Sequence, residues 1–281
     1  MDLKKQLQTH LTFIARDRDP YLATAGHFFV QEYIREQFAQ WGSVEIHTFE
    51  VAGKAFQNLI LNLPPQNTSK TDLPPILIAA HYDAVPGTSG ADDNATGVAV
   101  LLELARMFAT QPAKYPLRLV AFDMEEYGLL GSTDYAAKLK QEKQPLRLMI
   151  SLEMLGYCDS TPGSQNYPPP LERFYPNKGD FIALIGNLLT LPDLINLSRT
   201  IRQSGTPSEW LPMPNRGLIV SDTRRSDHAP FWDAGYPAIM VTDTANMRNP
   251  HYHKPSDTIA TLNLDFLTGV CQGLERGIRK L

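Results

Sequence analysis

The stretch LIAAHYDAVPGTSGADDNATG, residues 77–97, decides how the rest of the chain is read. It opens within ILIAAH, a short continuous apolar run of the kind a strand needs when both its faces are buried. The run gives out at His81 and Asp83 and crosses a loop holding Gly87 and Gly90. It then meets Asp92 and Asp93 just before ATGVAVLLELARMFA, whose apolar residues recur as on a helix. Strand ends that lead into helices are where open α/β sheets collect their ligands.

Working outward, strands and helices alternate on both sides. A helix is expected over about residues 22–41, stopped by Gly42. SVEIHTFEV alternates as a half-buried strand and NLILNL follows as a second, with PPQNTSKTDLPP as a polar, proline-bounded loop. Downstream come the strand LRLVAFDM, the helix STDYAAKLKQ and the buried strand LRLMISLEML. Residues 158–179 then break the rhythm with five prolines and no periodicity. Beyond them lie a strand near FIALIG, a helix near 192–204, a strand near PAIMVT and a closing helix near 263–280. There is no internal repeat and no linker. Residues 1–281 are therefore expected to form a single α/β domain, a mostly parallel twisted sheet with helices on both faces.

Composition narrows the class. A hydrophobic content of 43% and a charged content of 20% over 281 residues are those of an ordinary globular protein with ample core. A net charge of −4 leaves no electrostatic footprint for nucleic acid or an anionic membrane. Two cysteines, Cys158 and Cys271, make neither a disulfide framework nor a thiolate metal site, and two free thiols are expected. The first twenty residues lack the apolar core of a secretory signal; Leu3, Leu7, Leu11 and Ile14 read instead as an amphipathic helix. The expectation is a soluble, cytoplasmic monomer with no membrane span, although a mature secreted form would read the same.

Acidic residues interrupt each buried strand at the same end. Glu125 and Glu126 follow LRLVAFDM, and Glu153 lies in LRLMISLEML. Buried carboxylates without partners are costly, and lysines and arginines are scarce in these segments, so metal ions would resolve the conflict. Taken singly, Asp93 or Asn94 is a helix cap, the Glu pair a solvated turn and His81 a core histidine. All three would have to hold at consecutive strand ends.

HYDAVPGTSGADDNATG, DMEEYGLLGS, SLEML, RSDHAPFWDAGYPAIM and YHKPSDT occur in the order seen in the zinc aminopeptidase family with two co-catalytic metals. The chain resembles that family from about residue 22 to its end. The family also includes glutaminyl cyclases and the catalytic domain of glutamate carboxypeptidase-type enzymes. The resemblance implies two zinc ions per chain and a peptide substrate. His81, Asp93, Glu126, Glu153 and His253 would be the ligands, with Asp93 bridging; Asp93 is preferred to Asp92 because it directly precedes Asn94. Asp83 would accept the other N–H of His81 and fix its tautomer. Glu125 would be the general base toward the water shared by the metals, and Tyr252 a donor to the oxyanion. Adjacent side chains on a strand point to opposite faces, so Glu125 and Glu126 must lie just past the strand to share a site. The segment KPSDT favours His253 over His251. Asp227 and His228 match a family segment beside the site, where a ligand-ordering, substrate-binding or structural role is open. Arg225 is a candidate for the cleft, while His10, His27 and His47 read as structural or surface residues.

One departure is Glu153, where the family's aminopeptidases commonly carry aspartate; the extra methylene could alter how a free amine is held. Three functions follow. A zinc aminopeptidase is the first. A glutaminyl cyclase-like acyltransferase with one zinc is the second, opposed by the uninterrupted EEYGLLGS and by tyrosine rather than tryptophan before His253. A receptor-type domain without metals is the third, opposed by the intact ligand set. Metal content of two, one or none separates them. Tyr157, Tyr167, Phe174 and Tyr175 of the proline-rich segment are expected to wall an apolar pocket for the substrate's first side chain.

Overall fold

The computed structural model describes residues 2–67, 73–169 and 171–281. The middle of the loop at 64–75, residues 68–72, lies outside the described residues, as does position 170 of the proline-rich segment. The strands are β1 (Val44–Val51), β2 (Lys54–Leu63), β3 (Ile76–His81), β4 (Leu117–Phe122), β5 (Leu148–Glu153), β6 (Ile182–Asn187), β7 (Ser208–Met213) and β8 (Ala238–Thr242). They form one eight-stranded sheet in the order β1-β2-β4-β3-β5-β8-β6-β7. The central strands β4, β3, β5 and β8 run parallel. On one flank β1 and β2 are antiparallel, and on the other β6 opposes β8 while β7 runs parallel to β6.

The apolar run that opened the sequence is β3, buried at all of its positions, as expected of a strand covered on both faces. Its alternate residues feed two cores. Ile76, Ile78 and Ala80 pack with helices α1 (Leu3–Ile14), α2 (Thr24–Ala39), α3 (Gly97–Thr110), α5 (Leu191–Gln203) and α7 (Leu264–Arg279). Leu77 and Ala79 pack with α4 (Leu130–Gln141) and α6 (His228–Ala234). Helices thus cover both faces, as expected. Among the described residues no helix is long and apolar enough to cross a membrane, and both cysteines are free.

Two elements went unread in the sequence. Strand β7, SEWLPM, carries a proline and no alternation, and it is tolerated because β7 lies at the sheet edge. Helix α6 has only seven residues, two turns at most, too short for a periodicity to show.

Candidate active site

Everything chemical gathers past the carboxyl ends of the parallel strands. His81 closes β3 and Glu153 closes β5. Glu125 and Glu126 come after β4, beyond Met124, whose φ of 61° takes the backbone out of the extended region. That departure lets neighbouring side chains face one site. Asp83 fixes the turn: its two carboxylate oxygens accept the backbone N–H groups of Glu125 and Glu126, both at 3.1 Å. Its contact with His81 Nδ1 is longer, 3.4 Å, an ion-pair distance rather than a well-aligned hydrogen bond.

Asp93 divides its oxygens. Oδ1 lies 3.4 Å from His81 Nε2, which is also 3.5 Å from Glu153 Oε2. Oδ2 lies 3.1 Å from His253 Nε2, which is also 3.4 Å from Glu126 Oε2. His81, Asp93 and Glu153 form one group whose donor atoms all lie within 4.8 Å of one another, and Asp93, Glu126 and His253 form another. A third, overlapping group joins His81 to Glu125 and Glu126.

The donor set fits divalent zinc. Imidazole nitrogen and carboxylate oxygen are its ligands, in groups of three that leave room for a fourth. Both ring nitrogens of His81 and Oε1 of Glu126 are buried without a hydrogen-bond partner, a costly state that coordination would relieve at His81 Nε2, the nitrogen that faces Asp93 and Glu153. Burial pushes the Glu126 and Glu125 carboxyls well above their ordinary range. His81 opposes the rise, while Asp93 and Glu153 beside Glu126, and Glu153 and Glu126 beside Glu125, reinforce it. For His81 burial acts to lower the basicity, but Glu125 and Glu153 outweigh it and raise the ring well above its usual value. Carboxylates crowded this closely would rather share protons; divalent ions would hold them ionised.

The neighbours separate into roles that the sequence left open. Asp92 is turned away, accepting from the Gly156 N–H at 2.9 Å and from Asn249 Nδ2 at 2.7 Å. Asn94, not Asp93, accepts from the Gly97 N–H where the following helix begins, at 3.1 Å. His251 binds the Ser256 hydroxyl and stands edge-on to Tyr157, away from the carboxylates. His228 bonds the Thr223 carbonyl and packs on Trp232, inside the fold. His10, His27 and His47 are likewise held by Glu103, Asp123 and Asn58. Asp227 is fully buried and belongs to none of the three donor groups; burial, against the pull of His81 and Ser132, pushes its carboxyl up to about 7.

Two positions were missed. The Ser226 hydroxyl donates to Glu153 Oε2 at 2.7 Å. Asp257 accepts the N–H groups of Asp92 at 2.9 Å and Asp93 at 3.2 Å, which is the work of the aspartate in KPSDT. Tyr252 stacks on His253 with ring centres 3.8 Å apart, and its hydroxyl accepts from Arg225 Nη2 at 3.0 Å.

A cleft lined by Ile185, Asp222, Met240, Thr242, Met247 and Tyr252 opens beside Glu153. It shares Ile185, Asp222, Thr244 and Met247 with an apolar cavity. Tyr167 and Tyr175 of the proline-rich segment wall that cavity, as expected, together with Leu171, Phe181 and Trp210. Phe174 does not: it follows a short turn over Leu171–Arg173 and is 75% exposed. Tyr157 does not either, because its ring is engaged with His251.

The model of peptidase family M28 matches residues 58–187 and 190–273. The chain belongs to peptidase family M28. It is 39% identical over 260 residues to the uncharacterized protein YfbL of Escherichia coli K12, covering 86% of this chain and 77% of YfbL. It is 29% identical over 224 residues to the aminopeptidase YwaD of Bacillus subtilis strain 168, covering 75% of this chain but 41% of YwaD. Among solved structures, BSAP, a zinc aminopeptidase from Bacillus subtilis, superposes with a TM-score of 0.61 at 27% identity, over 82% of this chain and 51% of that one. The chain thus spans about half the length, or less, of these two aminopeptidases. By family it is a zinc metallopeptidase.

Proposed function

We propose that the chain is an aminopeptidase that uses two zinc ions to hydrolyse the first peptide bond of its substrates. The observation that carries this reading is the division of the Asp93 oxygens, one toward His81 and Glu153 and the other toward Glu126 and His253. A single-zinc, cyclase-like site would leave one of those groups without a purpose. When bound, zinc supplies Lewis acidity: it acidifies water and polarises the scissile carbonyl.

The chain's own groups do the rest. Glu125 is the base: its Oε2 is 3.9 Å from His81 Nε2, and its side chain is 10% exposed. It is not among the ligands of the two groups that Asp93 joins. Its raised basicity suits a group that takes a proton from attacking water and returns it to the departing amine. Because Arg225 donates to the Tyr252 oxygen, the phenolic proton is free to point at an oxyanion. The substrate's first side chain would enter the cleft at Ile185, Met240 and Met247. The test is metal stoichiometry with aminoacyl-aminomethylcoumarin substrates. Chelation should abolish hydrolysis and zinc should restore it at two ions per chain; full activity at one ion per chain, or cyclisation of glutaminyl substrates in place of hydrolysis, would overturn the proposal.

A further inference from the structure

The segment ARDRDP, residues 15–20, lies outside the residues matched by the family, yet it touches the metal-site loops at three consecutive positions. Asp17 Oδ2 accepts the Gly87 N–H at 3.2 Å. Asp19 Oδ2 accepts the hydroxyl of Tyr127, the residue after Glu126, at 2.6 Å. Between them Arg18 is fully buried. Its Nε donates to the carbonyl of Tyr82 at 2.8 Å and its Nη1 to that of Ser89 at 2.7 Å. Its Nη2 donates to the carbonyls of Gly90 at 2.9 Å and of Asp93 at 3.2 Å. Two further bonds, to the carbonyls of Arg16 at 3.2 Å and Ile14 at 3.4 Å, tie the same group to the end of α1.

We infer that Arg18 is a positioning residue for the metal centre, a guanidinium fork that locks the loop joining His81 to Asp93. The inference rests on the two-zinc reading above. Residues 82–90 contain no strand or helix, so their buried carbonyls have no ladder to join and need donors from elsewhere. Arg18 supplies them from one rigid plane, at both ends of the loop at once. The loop is shaped to receive it. Gly90 has φ +48°, and a Cβ there would stand 2.2 Å from the Asp93 carbonyl and 2.9 Å from Arg18 Nη2. The fork also sets a fixed positive charge behind a site crowded with carboxylates; Asp93, Asp83, Asp257 and Glu126 are the acidic groups that act on it. Lysine keeps the charge but not the planar set of donors.

The experiment compares Arg18→Ala and Arg18→Lys with Leu11→Ala, which damages the core packing of α1 and removes no hydrogen bond to the loop. Zinc affinity is measured by chelator competition well below each melting temperature, alongside kcat and KM. Wild type must first bind two zinc ions; if it does not, the two-zinc reading fails and the inference falls with it, whatever the Arg18 variants do. Loss of an outer partner of a metal site typically weakens metal binding about 10–100-fold. Both Arg18 variants are expected to lose zinc affinity in that range and to lose kcat with KM little changed. Leu11→Ala should lower the melting temperature and leave zinc affinity at the wild-type value. The inference is overturned if either folded Arg18 variant binds zinc as wild type does. It is also overturned if Leu11→Ala weakens zinc equally, or if neither Arg18 variant folds, since Arg18 would then serve the fold rather than the site.

Discussion

Shortening Glu153 to aspartate tests how closely this site is built around its longer carboxylate. Glu153 ends β5, a central strand paired with β3 on one side and β8 on the other, with Glu153 itself opposite Thr242. Its Cα therefore cannot move to follow a shorter side chain. Removing one methylene withdraws the carboxylate by about 1.5 Å, one carbon–carbon bond. The 2.7 Å bond from Ser226 would open to roughly 4 Å, beyond hydrogen-bonding range. A ligand atom must also fall within about 0.2 Å of its metal distance to serve. A hydrogen bond to a charged group contributes about 1.5–3 kcal/mol. At about 1.4 kcal/mol per decade, that is roughly a 10- to 150-fold weaker hold on zinc at the position shared with His81. Chelator competition at constant pH measures it. Ser226→Ala should weaken zinc in the same direction, and the double variant should cost less than the sum because both singles break one contact. Wild-type zinc affinity in Glu153→Asp, or strict additivity with Ser226→Ala, would refute the reasoning.

Glu125→Gln should retain both zinc ions and the melting temperature while kcat falls about 10²–10⁴-fold; a kcat near wild type would remove Glu125 as the base. Asp93→Ala should empty both metal positions together when zinc is counted by mass spectrometry under native conditions, and one fully occupied site would show that the two groups are independent. Ile185→Trp, placed where the cleft and the apolar cavity share a wall, should raise KM for leucyl and phenylalanyl substrates roughly 10-fold or more relative to alanyl ones. Equal effects on all three substrates would mean that the first side chain binds elsewhere.

The central sheet and the chemistry at its edge were legible because β3 and β5 are apolar runs that close on imidazole or acid. A local pattern of that kind survives folding unchanged. Asp93 was separable from Asp92 only through the resemblance, since composition treats the two alike. In three dimensions the difference is plain: Asp92 is engaged by Gly156 and Asn249. Arg18 was illegible. Its partners are carbonyl oxygens, which every residue carries, and those around the metal-site loop lie 64 to 75 positions away in the chain. No side-chain pattern encodes that kind of contact. The proline-rich segment was half legible: aromatic residues were visible, but which of them turn inward depends on the turn at Leu171–Arg173.

The reversal of chain direction between β8 and β6 has a consequence for how such an enzyme can change. The carboxylate and imidazole groups come from parallel strands read at their ends, whereas the cavity takes Ala183 and Ile185 from β6 and Glu209, Trp210 and Leu211 from β7. On the proposed reading, the cavity's share of selectivity is encoded in stretches of chain other than those that carry the chemistry, and the two meet at the β8 edge. A library confined to residues 181–185 and 209–222 could explore new side-chain preferences while every proton-handling group kept its place. Selection on such a library would read out pocket shape almost free of catalytic loss.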